Sequence, residues 1–260
     1  MKARSSLIVV TFIVLFLVFG SFVFSVSFRA TILRVLFPAT RELIYLRTGL
    51  PHMLGEHLSL VLLSSVLASL AGFSLGVFVT RSCGRDFLPL VRGLSNFAQT
   101  FPPVAILALA FPVLGFGFRP TVAALFAFGI LPVLNNTIEG IESVDAGLIE
   151  AAQGQGMTPS QVLLQTELPL AARVIVAGIR TSVIINIGTA TIGATIGAGG
   201  LGTVIIAGLV RNNTAFVFTG AVTAAGVALA TDWLFSRLEQ VFFNPQDGGR
   251  SGHDSTRHSS

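Results

Sequence analysis

Lysine is almost absent from this chain of 260 residues, because Lys2 is the only one. A P-loop for ATP needs a lysine directly after a glycine-rich loop, and residue 2 cannot stand there. The sequence therefore excludes ATP binding of that kind. Cysteine is equally scarce: Cys83 stands alone, so no disulfide can form within the chain.

Charge of either sign is also scarce. Charged residues make up 11% of the chain and hydrophobic residues 52%, with a mean hydropathy of +0.81, whereas a soluble domain carries about 25% charged residues. So few charges cannot cover a water-soluble surface of this size. The basic residues stand singly at loop boundaries, which argues against a nucleic-acid partner. We expect a membrane protein in contact with lipid.

The uncharged stretches predict the membrane spans. A helix needs about 20 apolar residues to cross about 30 Å of hydrocarbon, and none of these stretches shows the alternation of barrel strands. The sequence predicts an all-α polytopic bundle of about six helices, at residues 6–28, 57–80, 93–115, 120–138, 174–197 and 213–236. The first stretch exceeds the apolar core of a cleaved signal peptide, about 7–15 residues, which favours an uncleaved helix over a leader.

The spans and the polar segments divide the chain into four parts. We expect residues 1–28 to form the N-terminal membrane helix, 29–56 an external loop, 57–236 the core and 237–260 a disordered tail. The four histidines lie beside the second span and in the tail, and they suggest neither a catalytic set nor a metal site. We therefore predict that the chain is not an enzyme.

A glycine motif near the end of the fifth span has the spacing of a dinucleotide site. Gly197, Gly199 and Gly202 form G-x-G-x-x-G. A Rossmann site requires a preceding strand and an acidic residue about 20 positions later. Here a predicted membrane helix precedes the motif, and the next acid is Asp232. The sequence argues against a dinucleotide there.

The polar interval 139–173 predicts two short helices. Asp145 or Ser143 can cap the first, which ends near Gly156. Thr158, followed by Pro159 and Gln161, predicts a capping box at the start of the second, and Pro169 predicts its end. On local chemistry alone, an ordered surface loop is the other interpretation.

The stretch "EAAQGQGMTPSQVLLQTELP" resembles the EAA motif of the permease subunits of ABC importers, E-A-A-x3-G-x9-I-x-L-P. The matching positions are Glu150, Ala151, Ala152, Gly156, Leu168 and Pro169. Thr166 departs from the isoleucine that many members carry. Further segments between residues 55 and 210, among them "INIGTATIGATIGAGGLGTVI", look like the osmoprotectant branch, whose substrates are glycine betaine and choline; the glycine-rich end is also shared with methionine-type importers.

This resemblance implies a MetI-like permease fold in a bacterial inner membrane. It implies three protein partners: an ABC ATPase that receives the EAA loop in the cytoplasm, an external substrate-binding protein, and an identical or different second permease. ATP and Mg²⁺ would be bound by the ATPase, and no cofactor by this chain. Closure of two ATPases would pull the loops together and tilt the spans, with Val162, Leu163 and Leu164 against the partner or the bundle. Recognition of a quaternary amine needs an aromatic cage, and this chain has one Trp, one Tyr and 22 phenylalanines that we mostly expect to face lipid. We therefore expect selectivity to reside in the binding protein.

The resemblance also assigns the fifth span to the translocation path or the interface between permeases, with packing inside one chain as the alternative. The residues concerned are Asn186, Gly188, Thr189, Thr191, Gly197, Gly199, Gly200 and Gly202. Arg180, one turn inside that span, is a candidate buried charge, although its long stem can reach the interface. Prolines at 102, 103, 112 and 132 interrupt spans three and four.

A cytoplasmic loop at 139–173 puts both termini inside and gives ten basic residues inside against six outside, in the sense of the positive-inside rule. Two other classes of membrane protein fit the composition. An ion-coupled secondary transporter usually has midplane acids and repeated halves, and the sequence shows neither. A membrane scaffold without transport would leave the EAA match unexplained.

Overall fold

The computed structural model describes residues 14–243, and that range is helical without a β-strand. The all-α class is therefore confirmed. The α-helices in chain order are α1 (Val14–Phe24), α2 (Val26–Leu36), α3 (Leu50–Thr80), α4 (Leu88–Ala98), α5 (Pro103–Leu114), α6 (Phe118–Glu142), α7 (Ala146–Gly154), α8 (Pro159–Val162), α9 (Leu168–Thr189), α10 (Gly202–Val210) and α11 (Thr214–Phe243).

The centre of the bundle is formed by α3, α6 and α9, which glycines bring close together. A Cβ on Gly72 of α3 would lie 2.9 Å from the Ile130 carbonyl oxygen, and one on Gly178 of α9 would lie 2.9 Å from the Pro132 oxygen. Small residues permit such close backbone approach between membrane helices. The contacts show that α3 and α6 run in the same direction and α9 in the opposite one.

The bundle has two distinct ends. We call residues 143–167 the knob; they connect α6 to α9 and lie outside the predicted spans 120–138 and 174–197. The far end is the opposite one, formed by residues 25–49, 115–119, 197–201 and 211–213. Two hydrogen bonds join its parts: Gly117 N–H to the Ile196 carbonyl at 2.8 Å, and Asn213 Nδ2 to the Glu42 carbonyl at 2.8 Å.

Four helices are long and apolar enough to cross a membrane, and two bent pairs raise the number to six. The four are Leu50–Thr80, Phe118–Glu142, Pro159–Ile196 and Thr214–Phe243. Of these four, α3, α6 and α11 begin at the far end and the helix that contains α9 begins at the knob, which agrees with alternating crossings once each bent pair counts as one span. The predicted number of spans agrees with the upper value.

The first span departs from the prediction. Residues 6–13 of the predicted helix lie outside the described part, and the helix ends at Phe24 instead of continuing to residue 28. The chain then bends by 98° into α2. Buried Arg29 holds this bend, because its guanidinium donates to the carbonyls of Phe22 at 2.9 Å and Val23 at 3.0 Å. A side chain thus satisfies carbonyls that the end of α1 leaves open.

The predicted loop at 29–56 was too long. Most of α2 lies within it, and α3 begins at Leu50 with Pro51 in its first turn. Proline fits there because that position needs no N–H donor. The irregular segment is only 37–49. The predicted span starts after Glu56 because a charge limits an uncharged stretch, whereas the helix itself extends beyond that charge to Leu50.

The third span is not one straight helix. Instead of a continuous helix over 93–115, α4 and α5 meet at 98° beside Pro102 and Pro103. Proline forces the preceding residue out of the helical region, and Pro102 has an extended backbone. This span is a broken pair, in agreement with the predicted interruption.

The last two spans also end differently from the prediction. After α9 the chain tightens into a 3₁₀ helix, Ala190–Ile196, then reverses at the glycines and forms α10, which was not predicted. The glycines lie in this reversal and not within a span. The last helix continues to Phe243, so residues 237–243 of the predicted tail are helical; residues 244–260 lie outside the described part.

Candidate functional site

The knob begins with a capped helix. The Asp145 carboxylate accepts hydrogen bonds from the N–H groups of Gly147 at 2.8 Å and Leu148 at 3.3 Å. A cap of this kind contributes about 1 kcal/mol. Asp145, one of the two predicted candidates, is therefore the cap of α7.

A tight turn and a second cap follow. Gly156 has φ +83°, which disfavours a residue with a Cβ. Thr158 N–H donates to Gln161 Oε1 at 2.8 Å, and Gln161 N–H donates to Thr158 Oγ1 at 3.4 Å. The predicted capping box is confirmed. Local chemistry thus fixes both arms of the knob and the turn between them.

The knob packs one side against itself and leaves the other open. Ala152 and Val162 are buried, whereas Glu150 and Ala151 are exposed. Leu148 is 50% exposed and Leu164 63%. Of the three apolar residues predicted to pack from the second arm, Val162 is buried, Leu163 is intermediate and Leu164 is exposed. An open apolar surface outside the predicted spans is a candidate protein contact.

Pro169 does not end the second arm, which corrects the prediction. The arm passes through a π-helical turn, Leu163–Glu167, directly into α9, so that one helix of 38 residues runs from Pro159 to Ile196. Leu168 N–H bonds to the Leu163 carbonyl, five residues back. The wider turn makes room for the proline ring, which would otherwise clash with a carbonyl four residues earlier. Leu168 and Pro169 are therefore the first two residues of α9, the membrane-spanning part of this helix.

An ion pair ties the knob to the bundle. Glu167, which is buried, lies 2.6 Å from the Arg81 guanidinium at the end of α3. Breaking a buried pair leaves one charge uncompensated, so the two residues constrain each other. This pair was not predicted from the sequence. A carboxylate inside the EAA segment and an arginine at a span boundary were the only signals for it.

A polar seam crosses the middle of the bundle. Asn186 on α9 is fully buried and donates to Ser65 Oγ at 3.0 Å on α3. Ser182 Oγ donates to the Gly129 carbonyl of α6 at 2.7 Å, and His57 Nε2 lies 3.0 Å from the Ile187 carbonyl. Such bonds hold membrane helices together. Asn186, predicted for the path or the interface, thus faces the interior of its own chain.

The glycine motif forms a reversal that a carboxylate occupies. Gly197, Gly199 and Gly200 all have positive φ. The Glu56 carboxylate accepts a hydrogen bond from Gly200 N–H at 2.9 Å, and a Cβ on Gly199 would lie 2.6 Å from the same carboxylate. The Glu56 carboxylate therefore already accepts the Gly200 N–H, which a bound phosphate would need as a donor. This geometry agrees with the argument against a dinucleotide.

The other residues predicted for the path occupy different environments. Gly188 and Gly197 are exposed, Thr189, Thr191 and Gly199 are intermediate, and Gly200 and Gly202 are buried. Thr191 Oγ1 is bonded to the Gly188 carbonyl of its own helix at 2.7 Å. Gly188 near the end of α9, Thr195 in the 3₁₀ helix and Gly197 in the reversal are thus the exposed residues that leave this part of the chain open.

An apolar groove of about 610 Å³ lies between α3, α9 and α11. Ser65 lines it together with Leu62, Val183 and Phe235. Below it, Arg180 donates to Asp232 Oδ1 through Nε at 2.8 Å and lies 3.6 Å from Glu239. Arg180 on α9 therefore forms ion pairs with α11. Neither prediction for this residue, a buried charge or a side chain that reaches the membrane interface, included these partners. Within residues 14–243 no cluster of three metal-ligating side chains occurs.

Comparison with known proteins decides the family. The model of the family described as "Binding-protein-dependent transport system inner membrane component" matches residues 72–243. The chain belongs to this family of transport permeases. The resemblance seen in the EAA motif is thereby confirmed.

Individual members of the family agree. The choline transport system permease protein OpuBB of Bacillus subtilis is 41% identical over 185 residues, which cover 71% of this chain and 84% of that protein. The osmoprotectant import permease protein OsmY of Salmonella typhimurium is 41% identical over 181 residues, covering 70% and 77%. An inward-facing structure of the MetNI methionine ABC transporter has a TM-score of 0.63 at 21% identity, covering 72% of this chain and 93% of that one. This likeness confirms the MetI-like permease fold.

Proposed function

We propose that this permease forms the translocation path of an ABC importer for choline, glycine betaine or a related quaternary amine. ATP hydrolysis by a partner subunit drives the transport. The names of relatives at about 40% identity support the substrate class. The observation that carries the mechanism is the knob, whose second arm continues without interruption into a membrane span.

The knob is the surface on which the ATPase acts. Its exposed face presents Glu150, Ala151 and Leu148, and its turn at Gly156 sets the angle between the arms. A helix of 38 residues is about 57 Å long at 1.5 Å per residue. Because α8 and α9 form one such rod, displacement of the knob moves the residues up to Ile196. The Arg81–Glu167 pair couples the same displacement to α3.

The nucleotide and its Mg²⁺ belong to the ATPase. Two properties of this chain support that assignment: its only lysine is Lys2, and Glu56 occupies the N–H of its glycine turn. A second permease subunit, identical or different, packs along the open face at Gly188 and Gly197, so that the path runs between the two subunits. Asn186 and Gly200 support this face from inside. An external binding protein delivers the substrate.

In this arrangement the knob and both termini face the cytoplasm of a bacterium, and the spans lie in its inner membrane. Cys83 tests the orientation without any substitution, because it is exposed at the knob end. A membrane-impermeant maleimide is expected to label Cys83 in inside-out vesicles and not in intact spheroplasts. Labelling in spheroplasts alone would reverse the orientation.

The transport role is tested in proteoliposomes that contain the permease, its ATPase and a binding protein. We expect uptake of radiolabelled choline or glycine betaine only with ATP. Glu150→Lys and Gly156→Asp are expected to abolish both co-purification of the ATPase and uptake. Asp86→Lys, an exposed charge reversal outside the knob, is the matched control. Unchanged assembly and uptake in both knob variants would exclude the knob from the mechanism.

A further inference from the structure

The far end carries an excess of arginine. Among residues 14–243, the far end and the helix starts next to it have six arginines and two carboxylates. The arginines are Arg29, Arg34, Arg41, Arg47, Arg119 and Arg211, and the carboxylates are Glu42 and Glu56. If this end is external, as the proposed function requires, its net positive charge faces outwards, while the ten basic residues predicted inside still outnumber these six, as the positive-inside rule requires. Orientation alone therefore does not account for the net charge of the far end.

Both carboxylates are already engaged within the chain. Glu42 lies 3.3 Å from Arg211, and Glu56 binds Gly200 N–H and lies 3.2 Å from His52. Arg29 is buried against the end of α1. The four remaining arginines are exposed, and no carboxylate of the described residues lies within ion-pair distance of them. The positive charge of these four arginines is therefore accessible at the surface of the bundle.

The segment that carries two of them is held in place. Residues 37–49 are fixed by the bond from Asn213 Nδ2 to the Glu42 carbonyl and by two edge-to-face ring pairs. Tyr45 and Phe216 have centroids 5.5 Å apart, and Phe37 and Phe218 have centroids 5.4 Å apart. Arg41 and Arg47 thus project from a fixed backbone. A preordered surface loses less entropy when it binds.

We propose that Arg34, Arg41, Arg47 and Arg119 form a docking surface for an acidic face of the soluble binding protein. This inference rests on the proposed function for its orientation. The family to which the chain belongs depends on such a protein, and the uncompensated positive charge selects an acidic partner. Charge of this kind accelerates encounter more than it prolongs the complex, and salt screens it.

The test measures association of the complete transporter with its binding protein. The transporter is placed in nanodiscs of phosphatidylcholine, and the probe is the binding protein that supports choline or glycine betaine uptake in proteoliposomes. For the wild type we expect an association rate that falls at least about tenfold between 50 and 300 mM KCl. The double variant Arg41→Gln/Arg47→Gln is expected to associate about tenfold more slowly at 50 mM KCl and to show a flatter salt dependence.

Two control variants separate charge from folding. Arg41→Lys/Arg47→Lys keeps the charge and should retain most of the wild-type rate, whereas Arg85→Gln removes an exposed charge at the knob end and should change nothing. A wild-type rate that does not depend on salt, or equal rates in the glutamine and wild-type proteins, would overturn the proposal.

The other source of acidic groups is the lipid headgroup. If the glutamine variant differs from wild type only in nanodiscs that contain phosphatidylglycerol, and associates normally in phosphatidylcholine, the arginines serve lipid and the proposal fails. The association measurement uses no ATP hydrolysis. Absence of ATP-driven uptake by the wild type would therefore reject the proposed function, while failed docking would appear in the association rate with uptake at saturating binding protein intact.

Discussion

The two ends of this permease differ in charge and in the way their surfaces are built. The far end and the helix starts next to it have six arginines against two carboxylates, whereas the rest of the described chain has six arginines against eight carboxylates. The far end is fastened by hydrogen bonds between its segments, and its free charges point outwards. The knob end instead extends a helical projection with open apolar side chains. The difference indicates one end suited to electrostatic recognition and one suited to transmitting force through packing.

The largest effect is expected at the fastening of the knob. Arg81→Gln leaves the buried Glu167 carboxylate without its partner, and breaking such a pair costs about 3 kcal/mol. We expect a lower melting temperature for the purified transporter and weaker coupling of ATP hydrolysis to uptake. The double variant Arg81→Gln/Glu167→Gln should recover part of the stability. A double variant no more stable than Arg81→Gln would show that the pair is not the cause.

A smaller effect is expected on the open face of the knob. Leu148→Ala should weaken co-purification of the ATPase about tenfold, equivalent to about 1.4 kcal/mol. Leu46→Ala, which removes an exposed leucine at the far end, should leave this co-purification unchanged. Equal weakening of ATPase binding by both substitutions would contradict the claim that the ATPase contacts the knob and not the far end.

The smallest effect is expected at the glycine turn. Glu56→Gln keeps an acceptor for Gly200 N–H but removes the charge, so we expect a loss of about 1 kcal/mol in stability. Scanning calorimetry of the purified transporter measures it. Glu42→Gln is the matched variant at the same end, since its carboxylate faces only exposed Arg211; it should shift the melting temperature less. A larger shift for Glu42→Gln than for Glu56→Gln would show that Glu42, and not Glu56, stabilises this end.

Sequence reasoning predicted the features that depend on local composition. Uncharged stretches identified the spans because hydrocarbon excludes charge, and Asp145 and Thr158 identified the knob because caps act within three residues. It failed where distant segments meet. Nothing near Arg29 indicates that it caps α1 across a bend, and Glu56 and Gly200 are 144 positions apart. Pro169 was wrongly predicted to end a helix, because the π-helical turn at Leu163–Glu167 accommodates its ring and has no signal in the local sequence.

The central claim, that the knob touches the ATPase, is tested most directly by photo-crosslinking in the assembled transporter. A photoreactive benzoylphenylalanine replaces Glu150 in one variant and Leu46, at the far end, in another. We predict an adduct with the ATPase from position 150 only. An adduct between position 150 and the external binding protein, or an ATPase adduct from position 46 and none from position 150, would contradict the account.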